Sequence, residues 1–314
     1  MTLVKKRCVF GIKQEATVGT AETLTVTEAA YNVYDLEIVP DIQFDERAAQ
    51  GGFGTQRSTP GGRKGKATFK CDVAFDGAAV PNWANVILPV CGLIKTGTVF
   101  TPKTQTPDTS GASVKTATIG KWMDGKFSSI YGAMGTFKLV MPTGKIAYFE
   151  FEFEGLYGGE VDAAVPSPTY PTAQKLRAAG GPMTFDTVAM CVESATFDVG
   201  NKLYLKQCSN TEQGFEFAII TDRNPKLTTN PESKLVAQQD RMGIYLAGTE
   251  AIYSNTIPGP GSSEIVLLAE QAQIMENKEG NRSDVAIDDM TLQFNSELST
   301  IDSDFSLTFT LDSP

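Results

Sequence analysis

The sequence contains no histidine. Its absence removes the side chain most often used as a general base near neutral pH, and a common metal ligand. Histidine-containing catalytic triads and the HExxH zinc motif go with it. Cysteine is sparse: Cys8, Cys71, Cys91, Cys191 and Cys208 are odd in number and show no CxxC spacing. Reduced thiols are the expectation, with Cys71 a small buried one on the apolar face of a strand pattern. No stretch approaches the roughly 18 apolar residues of a membrane-spanning helix. Lys5, Lys6 and Arg7 are followed only by Cys8, Val9 and Phe10 before Gly11, too little for a signal-peptide core. Folding in a cytosol is the expectation. Positive charge is also short, with 27 basic against 37 acidic residues and a formal net charge of −10. That balance argues against broad, tight binding to nucleic-acid phosphates. It leaves DNA open as a neighbour to be repelled.

What is abundant is period-2 alternation. From Thr136 to Gly155 the chain reads TFKLVMPTGKIAYFEFEFEG. Phe137, Leu139 and Met141 alternate with polar or smaller residues, Pro142 to Gly144 supplies a turn, and Phe149, Phe151 and Phe153 alternate with Glu150, Glu152 and Glu154. The phenylalanines belong on a covered face and the glutamates on the opposite one. Lys66 to Asp76 alternates in the same way, with Ala67, Phe69, Cys71, Val73 and Phe75 inward. Further strands are expected at Tyr31 to Phe44, Cys191 to Val199, Lys202 to Cys208, Gly214 to Thr221, Glu264 to Ala269, Val285 to Asn295 and Asp304 to Leu311. The Gly200-Asn201 step reads as a two-residue hairpin turn between two of them. Helices are expected at Pro81 to Cys91, with proline at the start and Gly92 after the end, and at Pro231 to Leu246. A short helix is expected around Thr172 to Ala179. Asp45 to Gly65, with six glycines, reads as a long loop or the tip of an extended hairpin, and 100–114 as a second polar loop.

The chain of 314 residues suits two domains, each able to bury a core. Prolines 166, 168, 171 and 182 with glycines 158, 159, 180 and 181 mark a connector. The expected division is a β domain over 1–160, a linker over 161–183 and a second β domain over 184–314. Both halves run through strands, a proline-led helix, a turn-rich stretch and a closing aromatic strand. That order suggests a tandem duplication of one β-rich unit. The expected fold is mainly β, an antiparallel sandwich or barrel with a short flanking helix.

Little here points to catalysis. Glu150, Glu152 and Glu154 invite comparison with the carboxylate pair of a glycosidase, since residues two apart on a strand lie about 6.6–6.8 Å apart. Nothing in the sequence marks one of them as the acid. GGRKGK at 61–66 lacks the spacing and helical context of a phosphate loop. Asp288-Asp289 and the Asp302/Asp304 pair lack calcium-loop spacing. No catalytic, cofactor or metal residue is expected.

Several stretches taken in order resemble the major tail tube proteins of long-tailed bacteriophages. They are FGIKQEATVGTAETLT, VYDLEIVPDIQFDER with the Gly-rich segment after it, LPVCGL, FTPKTQTP, IYGAMGTFKLVMPTGKIAYFEFEFEGLY and, more loosely, Asp222-Arg223-Asn224-Pro225. The resemblance implies a structural virion protein made in the bacterial cytoplasm, whose subunits join edge to edge into stacked rings around a DNA conduit. It implies self-association as the main partnership, here three two-domain chains in a pseudo-six-fold ring, with a hexamer as the alternative. Tape measure, terminator and distal tail proteins are the further partners implied, and viral DNA passes without specific binding. It makes Glu150, Glu152 and Glu154 candidates for an acidic lumen, and Gln50, Gly51, Gly52, Arg57, Arg63 and Lys64 candidates for an inter-ring loop. The rival readings are another tail component, such as a terminator or baseplate hub, and a β-sandwich carbohydrate-active protein.

Overall fold

Alternating side chains can bury one face only if strands stack side by side. In the computed structural model, which describes residues 2–75, 79–107 and 114–312, they do so as a mainly β, antiparallel fold. The first half supplies β1 (Cys8–Gln14), β2 (Val33–Asp45), β3 (Thr59–Asp72), α1 (Asn82–Ile87), β4 (Leu93–Thr96), β5 (Val99–Pro102), β6 (Ala117–Met123), β7 (Lys126–Pro142) and β8 (Tyr148–Asp162). The second half supplies β9 (Met183–Phe185), β10 (Val188–Ala189), β11 (Ser194–Asp198), β12 (Asn201–Gln207), β13 (Phe215–Arg223), β14 (Lys226–Thr229), α2 (Arg241–Ala247), β15 (Glu250–Pro258), β16 (Glu264–Arg282), β17 (Val285–Phe294) and β18 (Ser306–Thr310).

The strand order repeats. In the first half the ladder runs β1-β6-β7-β8-β3-β2, and in the second it runs β9-β15-β16-β17-β14-β11. Each is the same permutation of chain order, with β4, β5, β10, β12, β13 and β18 standing outside it. The two sets are joined, because residues 138–142 of β7 pair with 194–198 of β11. β2-β3-β8-β7-β11-β14-β17-β16 is therefore one continuous antiparallel run of eight strands. β18 adds a second tie by pairing with both β16 and β5.

One core lies beneath this run and draws on both halves. Phe149, Phe151 and Phe153 are buried, as the alternation predicts. Phe69 stacks on Phe153 at 5.6 Å between ring centroids, and Trp83 of α1 meets Phe149 at 5.0 Å. Phe137 contacts Phe197 at 6.2 Å across the β7/β11 joint. Inward residues Ala67, Cys71, Val73 and Phe75 are buried too.

Several expectations need correction. The segment 60–65 is not loop but the first part of β3, because β2 and β3 pair out to Asp45 and Thr59. Two of its glycines serve close approach: a Cβ at Gly65 would lie 2.8 Å from Ile130 Cγ2, and one at Gly62 would lie 2.6 Å from Phe215. β11 and β12 do not pair with each other across Gly200. Gly200, at φ 64°, turns the chain out of the main sheet, β11 pairs with β7 and β14, and β12 pairs with β13. The second helix is only Arg241–Ala247, capped by the Asp240 side chain accepting from Gly243 N–H at 2.8 Å. Residues 231–234 instead run extended against β17, with Ser233 N–H donating to Ala286 C=O and Asp288 N–H to Pro231 C=O, and 235–239 make a single turn in which Gln238 and Gln239 N–H donate to Leu235 C=O. Residues 172–179 form no helix. Their backbone bridges Ala74, Thr143 and Ile146 through Lys175, Ala178 and Arg177. Of the second polar loop, 108–113 lie outside the described residues, as does Asp76 at the end of the second expected strand.

Candidate assembly surfaces

Cross-strand partners on an antiparallel sheet share a side, so the register identifies which residues line the face opposite the core. Starting at β3 these are Lys66, Thr68 and Lys70, opposite Glu154, Glu152 and Glu150 of β8. They continue through Thr136 and Lys138 of β7, and Asp198 and Thr196 of β11. Lys226 and Thr228 of β14, Thr291 of β17 and Glu276 of β16 complete the row. The row named is polar on these seven strands and hollowed in two places; β2 brings Val39 opposite Lys66, and further along the face Met134 and Leu156 are covered by β12 and β13. One hollow of about 670 Å³ includes Thr68, Lys70, Thr136, Lys138, Glu150 and Glu152, and one of about 400 Å³ includes Thr196, Thr228, Thr291, Glu276 and Asp289.

The three glutamates are brought together here, but not as a bare acidic ladder. Lys66 Nζ lies 3.3 Å from Glu152 and 2.8 Å from Glu154, and Lys70 Nζ lies 3.1 Å from Glu150 and 3.7 Å from Asp35. Lys138 pairs with Asp198 at 3.2 Å. Hydrogen bonding to Glu154 raises the Lys66 ammonium pKa above its ordinary value, and Glu150 does the same for Lys70. Sequence reading missed these lysines because only the β3/β8 register sets them beside the glutamates. The row remains acidic in balance, and its acids are spaced among lysines and threonines.

The eight-strand run ends in two open edges. Among the described residues no strand pairs with the outer side of β2, nor with the outer side of β16 beyond Gln273, where β15 stops. Exposed apolar side chains line both: Val39, Ile42 and Phe44 on β2, and Met275 on β16 with Met242 and Leu246 of α2 nearby. Unpaired edges of this kind are templates for another chain.

Residues 46–58 between β2 and β3 form an ordered hairpin extension. Gln56 N–H donates to Arg47 C=O at 2.8 Å and Ala49 N–H to Gly54 C=O at 3.0 Å. Gln50, Gly51 and Gly52 make its tip, with Gly51 at φ 77°, and Arg57 stands on its return arm. Arg63 and Lys64 do not belong to it. They lie in β3 and pair with Glu212 at 3.6 Å and Asp41 at 3.0 Å.

One buried group gave no sequence signal at all. Glu15, within what reads as a polar run, accepts from Thr116 Oγ1 at 2.6 Å, Gly132 N–H at 2.7 Å, Gly19 N–H at 2.9 Å and Thr118 Oγ1 at 3.0 Å. Burial pushes its carboxyl pKa up, and these four donors oppose the shift. The group ties the segment after β1 to β6 and to the bulge in β7. Among the described residues no set of three or more acidic or cysteine side chains is arranged to hold a metal ion, and no helix is long and apolar enough to cross a membrane.

No family model matches the chain, and no curated protein matches it.

Proposed function

We propose that the chain is the structural subunit of a phage tail tube, a two-unit protein whose copies close into rings and stack around a lumen through which viral DNA passes. The observation that supports this best is a filled junction and its empty counterpart. In the first half, β6 covers β7 only as far as Ala133, and the uncovered end of β7 receives β11. In the second half, β15 covers β16 only to Gln273, and the equivalent end of β16 is open. The strand equivalent to β11 is β2, whose outer edge is also open. Joining β16 of one copy to β2 of the next repeats between chains what β7 and β11 do within one.

Strand parity agrees with this. Eight strands alternating in direction bring β16 and the next β2 together antiparallel, so head-to-tail addition continues the same ladder. A heterologous contact of this kind gives a ring when its rotation closes, and closure removes both exposed edges. Three chains, each supplying two equivalent sets, give the pseudo-six-fold ring. The polar hollowed face then lines the lumen. Spaced carboxylates among short hydroxyls repel phosphate, and the interleaved lysines keep neighbouring glutamates from repelling one another.

Negative-stain electron microscopy of the purified protein tests the reading. Rings or tubes with a stained central channel and three two-lobed subunits are expected. A species that stays monomeric by sedimentation at all concentrations, with no rings in the images, overturns it. Single rings that never lengthen point to the terminator reading instead.

A further inference from the structure

Beside α1, where β2 begins and β3 ends, the first half holds an apolar cavity of about 360 Å³. Its walls include Tyr31, Cys71, Phe75, Val80 and Trp83, all of them buried. Those walls are fixed in place. Trp83 and Phe75 both pack against Phe309, at 6.2 and 5.8 Å between ring centroids, and Trp83 Nε1–H donates to Ala74 C=O at 3.2 Å. The cavity is therefore formed before anything enters it, which spares an occupant the cost of ordering its walls. Pro171 and Ala173 edge its mouth, and Asn32 Nδ2–H holds that edge by donating to Pro171 C=O at 2.9 Å.

The chemistry of the lining defines the class of occupant. Among the described residues its two charged side chains, Asp72 and Lys175, pair with each other at 2.5 Å, so the cavity presents no unpaired charge. Burial pushes the Cys71 thiol and the Tyr31 hydroxyl each up to about 12, which keeps both neutral. Asn82 Nδ2–H is already engaged with the Tyr31 hydroxyl oxygen at 3.4 Å. A polar or charged guest would shed its water here for little in return, and water alone finds few partners. Aromatic walls suit a flat ring, which they can meet at offset or T-shaped angles. At about 30 Å³ per non-hydrogen atom, the share of one molecule in liquid water, the space takes about a dozen such atoms.

We propose that this cavity is a binding site for a small uncharged aromatic molecule of one ring or two fused rings. The internal repeat supplies an independent reason for an occupant. In the second half the equivalent place is filled by the chain itself, through residues 231–241, with Gln239 Nε2–H donating to Phe185 C=O at 2.8 Å. In the first half no side chain among the described residues fills it, and a ligand takes that part. The site lies apart from the open strand edges and the polar face, and it does not depend on the assembly reading. A bound ring joins the end of β3, α1 and the 171–175 segment. Because only the folded chain offers the site, occupancy stabilises the fold.

Fluorine NMR of the full-length protein titrated with 4-fluorotoluene tests the proposal. Saturable binding with a dissociation constant of about 1 mM or lower is expected, within reach of a ligand this small. 4-Fluorobenzoate and 4-fluorobenzylamine, the same ring carrying either charge, are expected to bind at least about tenfold more weakly. Ala173→Trp, which blocks the mouth, is expected to abolish binding while leaving the circular dichroism spectrum unchanged. Val80→Ala, which widens the wall, is expected to strengthen 1-fluoronaphthalene relative to 4-fluorotoluene by about threefold or more, a size dependence that loose surface binding does not show. Should Ala173→Trp unfold, the ratio measured on Val80→Ala decides. No saturable binding by the wild type, equal binding of the charged analogues, or unaltered binding in either variant that folds overturns the site.

Discussion

Between the first and second strands of its sheet set, the first half carries a hairpin extension that projects with Phe53 at its end. The second half carries β12–β13 at the same point, and that hairpin folds back over β7 and β8. Beside its helix the first half leaves an apolar cavity. The second half fills the equivalent place with residues 231–241, locked by Arg241, which is 3 % exposed. Arg241 donates to Asp288 at 2.6 Å, to Gln239 at 2.8 Å and to Glu232 C=O at 2.9 Å. One frame thus appears twice, once with a projecting hairpin and an open cavity and once with both closed inward. The lesson is that the ladder and core are common to both halves, while what each offers a neighbour is decided by the segments between strands.

The sharpest way to break the comparison is to strike the filled junction and its open counterpart with the same chemistry. Ala195, fully buried in β11 at the β7 joint, has no room or partner for a carboxylate. Ala195→Asp is expected to destabilise the monomer by more than about 4 kcal/mol, measured by denaturant unfolding. Val39→Asp on the open β2 edge is expected to leave monomer stability within about 0.5 kcal/mol while abolishing rings in sedimentation. Equal losses of stability in the two variants would mean that β2 is not a free edge.

The closed pocket of the second half predicts the next largest effect. Arg241→Leu strands Asp288 and removes the lock on 231–240, and a cost of about 3–5 kcal/mol is expected. Lys175→Ala, breaking the half-exposed pair with Asp72 at the open cavity of the first half, is expected to cost under about 1 kcal/mol. Comparable costs at the two sites would erase the distinction between a locked site and a vacant one.

Glu15 has no counterpart among the residues that organise the second half, and it predicts a pH dependence. Its folded carboxyl binds a proton more tightly than an unfolded one. Its titration term therefore favours folding at low pH and is lost as pH rises from the ordinary carboxylate value through the raised one. Glu15→Gln removes that slope and costs about 1–2 kcal/mol through mismatch with the Gly19 and Gly132 N–H donors. Melting temperatures taken between about pH 4 and pH 7 are expected to fall more steeply with rising pH in the wild type than in the variant. Parallel curves would contradict the burial of this group.

Much of the frame was legible because burial imposes strict alternation: Phe149 to Phe153, Ala67 to Phe75 and Phe305 to Phe309 all read correctly from period 2 alone. Pro81 and Gly92 bounded the helical stretch for the same local reason: Pro81 leads α1, and Gly92 makes the left-handed exit of the 3-10 turn at Leu88–Cys91 that follows it. Long-range register was not legible. Ser194–Asp198 alternates equally well against any strand, so its union with β7 rather than β12 follows from the turn at Gly200, not from composition. Gly62 and Gly65 looked like a loop because glycine signals both freedom and close approach, and only the packed neighbours Phe215 and Ile130 tell which. The 231–240 segment looked helical from its leading proline, but the backbone groups of 231–233 are taken by Cys191, Ala286 and Asp288, which leaves only one turn at 235–239 before α2. At the acidic face, the glutamates were legible and their lysine partners were not.

Those lysines give the smallest structural effect and the finest test of what the face does. Lys66 and Lys70 are half-exposed, and each bridges two carboxylates, so Lys66→Gln with Lys70→Gln is expected to cost less than about 1 kcal/mol. In a closed ring, however, Glu150, Glu152 and Glu154 of every copy would line one channel, and removing the lysines would leave them facing one another across a shared lumen. Ring formation by the double variant is therefore expected to weaken at low salt and recover as ionic strength shortens the screening length to about 8 Å or less. Wild-type assembly should show a smaller salt dependence. The equivalent change in the second half, Lys226→Gln, is expected to act in the same direction, because the repeat places Lys226 on the same face. Salt-independent assembly of both variants, measured by sedimentation, would put this face on the outside of the particle, where like charges are too far apart to couple.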